Sequence, residues 1–217
     1  MARSLKRKWL KAHSIILWLI GCVLFWAIAV QATPKVHPLP AILVQWTDRS
    51  GDYFDRVEKT EPGYLIWSDF PIKVYVQSED STWTKLMTQA VNEWKAYFPL
   101  ELTAQKDEAG IVFDRASIPI RFPPTERVRF ADAQFTLYKQ DGVLRHRMRI
   151  RIQPNRPNDS LLLAARHELG HALGIWGHSP LETDVMYFSQ VRVPPQISAR
   201  DVNTLKRVYE QPTRLGW

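Results

Sequence analysis

From Trp67 onward the chain switches repeatedly between two hydrophobic periods. Residues 72–76, IKVYV, put apolar side chains at every second position, which predicts a strand. Trp83, Leu86, Met87, Ala90, Val91, Trp94, Tyr97 and Phe98 then recur three and one apart, a single apolar stripe on a long helix with Ser81 as its expected N-cap. Pro99 ends that helix, and LELTA (100–104) and GIVFD (110–114) read as short strands. AQFTLY (133–138) and VLRHRMRIRIQ (143–153) flank Gln140-Asp141-Gly142 and predict a hairpin. In its second arm Leu144, His146, Met148, Ile150 and Ile152 share one face, and Arg145, Arg147, Arg149 and Arg151 the other. Strict alternation is expected of a sheet covered on one side. The arginines therefore read as a solvated face rather than a polyanion-binding stripe, and His146 as a satisfied core histidine rather than a ligand.

A helix follows over LLLAARHELGHAL, capped by Asn158, Asp159 or Ser160 and stopped at Gly174. The last helix starts near Ser198, with Asp201 three residues on as half of a capping arrangement and Val202, Leu205, Val208 and Tyr209 as its buried stripe. Strands and helices in this order predict an α+β domain over 67–217. Before it, TPKVHPLP carries prolines at 34, 38 and 40, so 33–66 reads as a linker or a pro-segment.

Residues 14–30 form an uncharged apolar run directly after Arg3, Lys6, Arg7, Lys8 and Lys11. This is the layout of a secretory signal cleaved after Ala32, or of an uncleaved N-terminal anchor; residues 1–32 are assigned to that role. Leu19-Ile20-Gly21-Cys22 also resembles a lipoprotein box, although the apolar run continues past Cys22. Each reading exports the domain, to the periplasm, the medium or the outer face of the plasma membrane. Those five cations account for most of the formal charge of +7, so the rest is nearly balanced and is not drawn to nucleic acid by net charge. Cys22 is the only cysteine, which leaves the exported part without disulfides, a thiol nucleophile or a thiolate ligand.

The candidate chemistry lies in RHELGHALGIWGHSP (166–180). His167 and His171 are four apart on a predicted helix, so both imidazoles face the same way and can grip one zinc ion. Glu168 borders that position about 100° round the helix, where it suits a general base for metal-assisted hydrolysis. A catalytic zinc needs a third protein ligand and an open fourth position. Gly174 can stop the helix in a left-handed conformation and turn the chain back, which brings in His178. Glu182 and Asp184 are the alternative oxygen ligands.

His167, Glu168, His171, Gly174 and His178, followed by Met186 in Asp184-Val185-Met186-Tyr187, resemble the signature of the metzincin metallopeptidases, most closely the matrixins. The resemblance spans about residues 67–217. It implies a twisted mixed sheet with an antiparallel edge strand, a backing helix, an active-site helix, a Met-turn and a C-terminal helix. It also implies one zinc on His167, His171 and His178, Glu168 as catalytic base, and Gly174 and Met186 as structural supports. The third histidine arrives one residue later than in the family pattern, and Gly177 directly before it supplies the freedom to absorb the difference.

The function expected is an exported zinc endopeptidase, a monomer acting on proteins or peptides, membrane-associated only if the leader is retained. A peptide would lie along an edge strand guessed at 130–138, with residues 187–197 walling the pocket beyond the cleaved bond. The alternatives are a catalytically silent zinc-stabilised binding module at the cell envelope and a metal-dependent hydrolase of other acyl bonds. Segment 33–66 could act as an inhibitory strap, with Asp48, Asp52 or Asp55 reaching the metal. The histidine- and aspartate-rich segment that binds structural zinc and calcium in larger matrixins is absent between 115 and 160. Calcium added to the protein should therefore leave its melting temperature unchanged; a clear rise in thermal unfolding would refute this.

Overall fold

A computed structural model describes residues 33–78, 80–118, 130–189, 191 and 193–217, so the leader reading of 1–32 lies outside the described residues. Residues 34–217 form one compact unit. Five strands, β1 (Ile72–Val76), β2 (Leu100–Leu102), β3 (Ile111–Arg115), β4 (Ala131–Gln140) and β5 (Val143–Ile152), make one sheet in the order β2-β1-β3-β5-β4. All neighbours are parallel except β4 and β5. Four α-helices accompany the sheet among the described residues: α1 (Ala41–Gln45), α2 (Ser81–Lys95), α3 (Asn158–Leu173) and α4 (Ala199–Tyr209). This is an α+β fold with a mixed sheet and an antiparallel edge strand.

Each strand forms where the alternation places it. Ile72, Val74 and Val76 on β1, Ile111 and Phe113 on β3, and Met148, Ile150 and Ile152 on β5 are buried on the covered face. Against them pack Trp83, Leu86, Met87, Ala90, Val91 and Trp94 of the predicted stripe; the helix ends at Lys95, so the last two members, half-buried Tyr97 and buried Phe98, lie just beyond it. The cap of α2 differs by one residue: the Asp80 side chain accepts from Trp83 N, and Ser81 is already helical. The β4–β5 hairpin turns on Asp141 and Gly142 alone, at φ of 51° and 82°, two positive values that a two-residue loop of this hand requires.

The other face of the sheet is not merely solvated. Arg145 pairs with Asp69, Arg149 with Asp114 at 2.5 Å, and Arg151 with Asp132. Acids from neighbouring strands and loops thus neutralise three of the four arginines, which sequence spacing could not disclose.

Segment 34–66 is no linker. Leu43, Tyr53, Val57, Tyr64, Leu65 and Ile66 are buried in the common core. Lys35 and Thr213 exchange two backbone hydrogen bonds of 2.9 Å, which ties this segment to the C-terminal residues. The prolines do keep 34–40 irregular, and Pro40 then starts α1.

His146 is buried as expected and lies 4.1 Å from the Trp67 ring, but it is not satisfied: Nε2 finds no hydrogen-bond partner among the described residues. Burial alone lowers its pKa from 6.5 to about 3, because a cation there would be stripped of water without compensation. Between those values the unfolded chain binds a proton that the native state refuses. The stability carried by neutral His146 is full above about pH 6.5 and is lost as pH falls towards 3. His146→Leu should flatten this acid slope relative to the parent, by up to about 1.4 kcal/mol per pH unit. Urea unfolding from pH 4.5 upward checks it, and equal slopes would count against it.

Candidate metal centre

Helix α3 carries the first two histidines and is packed on nearly every side. Leu161, Ala165, Leu169, Ala172 and Leu173 are buried, and the Trp94 indole of α2 donates to the Arg166 carbonyl at 2.9 Å. None of the three expected residues caps it; Pro157 holds the N-cap position and its carbonyl accepts from Leu161 N. The helix stops where expected, at Gly174 with φ of 128°. A Cβ there would stand 2.8 Å from the Leu65 carbonyl oxygen, so both conformation and space require glycine.

The three histidines converge. His167, His171 and His178 each offer a ring nitrogen, and these lie within 4.8 Å of one another. Ring centroids are 4.7 Å apart for His167–His171, 5.2 Å for His167–His178 and 4.9 Å for His171–His178. Two rings are oriented from behind: His167 Nδ1 bonds the Val185 carbonyl at 2.9 Å, and His171 Nδ1 bonds the Ile175 carbonyl at 2.7 Å. A carbonyl can only accept, so each Nδ1 carries the proton and each Nε2 keeps its lone pair for a metal. Burial, aided by the neighbouring His178, lowers the His167 pKa to about 4 and keeps that ring neutral near pH 7. Three imidazoles grouped this closely, two of them with Nδ1 engaged from behind, fit one divalent ion of the zinc type.

The alternative oxygen ligands do not join this group. Asp184 is buried and instead takes the Ser179 hydroxyl at 2.5 Å and Arg200 Nε at 3.1 Å, while Glu182 faces solvent near the Tyr187 hydroxyl. Asp48, Asp52 and Asp55 do not reach it either. Asp52 pairs with Arg207 at 2.8 Å and Asp48 accepts from Ser50 N and Asn203; Glu58 is the acid of that segment that lines the cleft.

The turn after the third histidine closes the centre from below. Met186 is fully buried, and a Cβ on Gly170 would lie 2.3 Å from its Sδ. The glycine inside HELGH therefore lets α3 settle directly on Met186, a requirement that no periodicity reveals. Asp201 holds this turn in place by accepting from Val185 N at 3.0 Å and Met186 N at 3.4 Å. Burial raises the Asp201 pKa, opposed by the hydrogen bonds it receives.

Above the histidines opens a cleft of about 760 Å³. Its walls include Ala131 and Ala133 of β4, Trp176, Tyr187, Phe188 and Pro195, and Glu168 lines it beside the histidines while only 8 % exposed. Trp176 bridges two walls, packing edge-on against Phe135 of β4 and against His171. Arg166 reaches the Pro195 carbonyl at 3.3 Å while paired with Glu93 of α2, and so anchors the far wall.

Gly170→Ala should cost about 1–3 kcal/mol of stability through overpacking. The cost should shrink in a Met186→Ala background, where the clashing sulfur is gone. Thermal unfolding of the two single variants and the double variant measures this coupling; additive effects would exclude it.

No family model matches the chain, and no curated protein matches it.

Proposed function

We propose that the protein is an exported zinc endopeptidase of metzincin type. The observation that carries this reading is the convergence of His167, His171 and His178 beside Glu168, at the foot of a cleft bordered by an edge strand. The three imidazoles would hold the ion, which when bound supplies a Lewis acid that polarises the scissile carbonyl and acidifies water. Glu168 is half of the chemistry. Its carboxylate accepts the proton of the attacking water as the new C–O bond forms, and returns it to the leaving amine nitrogen as the C–N bond breaks.

Substrate binding follows from the sheet. Among the described residues β4 pairs only with β5, so its outer edge would offer backbone donors and acceptors to an extended peptide. Residues beyond the tight turn, Tyr187, Phe188 and Pro195, would form the wall that receives the side chain after the cleaved bond. The N-terminal apolar run would deliver the domain across the membrane.

Supplied with zinc, the parent should cut a mixed peptide library, and Glu168→Ala should cut about 10²–10⁴-fold more slowly while still binding one zinc. If both bind one zinc and neither cuts, the protein is a zinc-stabilised binding module. Cleavage of non-peptide acyl substrates alone would make it a hydrolase of another class.

A further inference from the structure

His178 is the most exposed of the three histidines and sits on the loop that leaves α3 after Gly174. Both neighbours of His178 are fastened by backbone. On one side Ser179 N donates to the Met186 carbonyl at 2.8 Å, and Ser179 bridges to Tyr187. On the other, Gly177 forms an antiparallel bridge with Val57, and Glu58 N donates to the Trp176 carbonyl at 2.9 Å.

We propose that residues 56–58 are a positioning segment for the third metal ligand: their backbone bridge to Gly177 holds the loop and aims His178 at the centre. This rests on the metal-centre reading above. Segment 56–58 is itself firmly rooted. Tyr53 donates its hydroxyl to Asp201 at 2.5 Å and its N–H to Thr204 Oγ1 at 3.0 Å, and a 3-10 turn over Phe54–Arg56 leads into Val57, buried and extended at φ −86° and ψ 122°. The contact with the loop is too close for any side chain. A Cβ on Gly177 would lie 2.1 Å from the Arg56 carbonyl oxygen and 2.9 Å from Val57 Cα, and backbone on both sides cannot swing away as a flexible side chain could. Gly177 is therefore required by proximity to 56–57, and the loop cannot keep its path if the two part. The segment that the sequence suggested as an inhibitory strap would then build the centre rather than block it.

The test loads the full chain with cobalt(II), whose visible absorption is intense in tetrahedral sites and weak when water raises the coordination number. Four variants are compared with the parent. Gly177→Ala forces the segments apart, and Glu58→Pro deletes the N–H that bonds Trp176. Glu58→Ala keeps that N–H, and His178→Ala gives the reference for a lost ligand. Gly177→Ala and Glu58→Pro should weaken metal binding about 10–100-fold in chelator competition and shift the spectrum towards that of His178→Ala. Glu58→Ala loses the same carboxylate as Glu58→Pro but keeps the N–H, so it should bind cobalt about 10–100-fold more tightly than Glu58→Pro and without that variant's spectral shift. Combined with His178→Ala, Gly177→Ala should add no further loss, which a general destabilisation would not reproduce. Gly177→Ala and Glu58→Pro proteins that bind cobalt as the parent does would overturn the inference and leave the metal centre standing. A parent that takes up no cobalt overturns both. If Gly177→Ala does not fold, Glu58→Pro against Glu58→Ala decides.

Discussion

The centre depends on one buried carboxylate far more than its exposure to chemistry would suggest. Asp201 lies wholly inside the protein and gathers donors from its own helix cap and from two segments further away in sequence. Tyr53 contributes its hydroxyl, Val185 and Met186 their backbone N–H groups, and Ser198 both its N–H and its hydroxyl. Taking a carboxylate out of water is costly, and burial does raise its pKa; the donors offset that cost. What results is a junction. The start of α4, the N-terminal segment and the turn under the histidines are all fixed to the same pair of oxygens. Because the Val185 carbonyl in that turn orients His167, the first histidine of the group is positioned by a residue thirty-four places downstream.

A second constraint is the crowding around α3. A helix buried on so many sides shows no clean apolar stripe, and its face towards the cleft is polar because it carries His167, Glu168 and His171. Small residues permit the crowding. Ala164, Ala165, Gly170 and Ala172 let neighbouring elements approach closely, and Gly170 admits Met186 against the backbone of α3. The Arg166–Glu93 pair adds a polar cross-link to α2 at the same level and hands its remaining N–H to the wall of the cleft. Such partly buried, bidentate pairs specify geometry even where their net contribution to stability is small.

Much of this was legible in the sequence because it is local. Alternation in IKVYV, the stripe of α2, the Asp-Gly turn and the Ser198–Asp201 capping box each depend on residues a few positions apart, and each appears in the structure. The histidine grouping was legible for the same reason: helical spacing joins His167 to His171, and a glycine stop returns the chain to His178. What escaped is tertiary. The prolines of 34–40 suggested a linker, yet burial of Leu43, Tyr53 and Tyr64–Ile66 is decided by distant partners in α4 and the C-terminal residues. The ion pairs across the arginine face, the burial of His146 without a partner for Nε2 among the described residues, and the tight contacts of Gly170 and Gly177 also depend on segments that only folding brings together.

The late third histidine shows how these levels combine. A loop one residue longer has more freedom, and freedom at a ligand weakens the site, since each alternative conformation must be given up on binding metal. Here the added length is not left free. Ile175 is buried and its carbonyl holds His171, Trp176 is wedged between Phe135 and His171, and Gly177 lies against residues 56–57. Every residue between Gly174 and His178 thus has a fixed neighbour; Ile175 also holds His171, and Trp176 and Gly177 line the cleft. A segment that supports the loop in this way cannot be discarded to expose the centre without loosening it. If the protein cleaves peptides as proposed, restraint of that activity would act at the open mouth of the cleft, above the histidines, and not by withdrawal of residues 53–58.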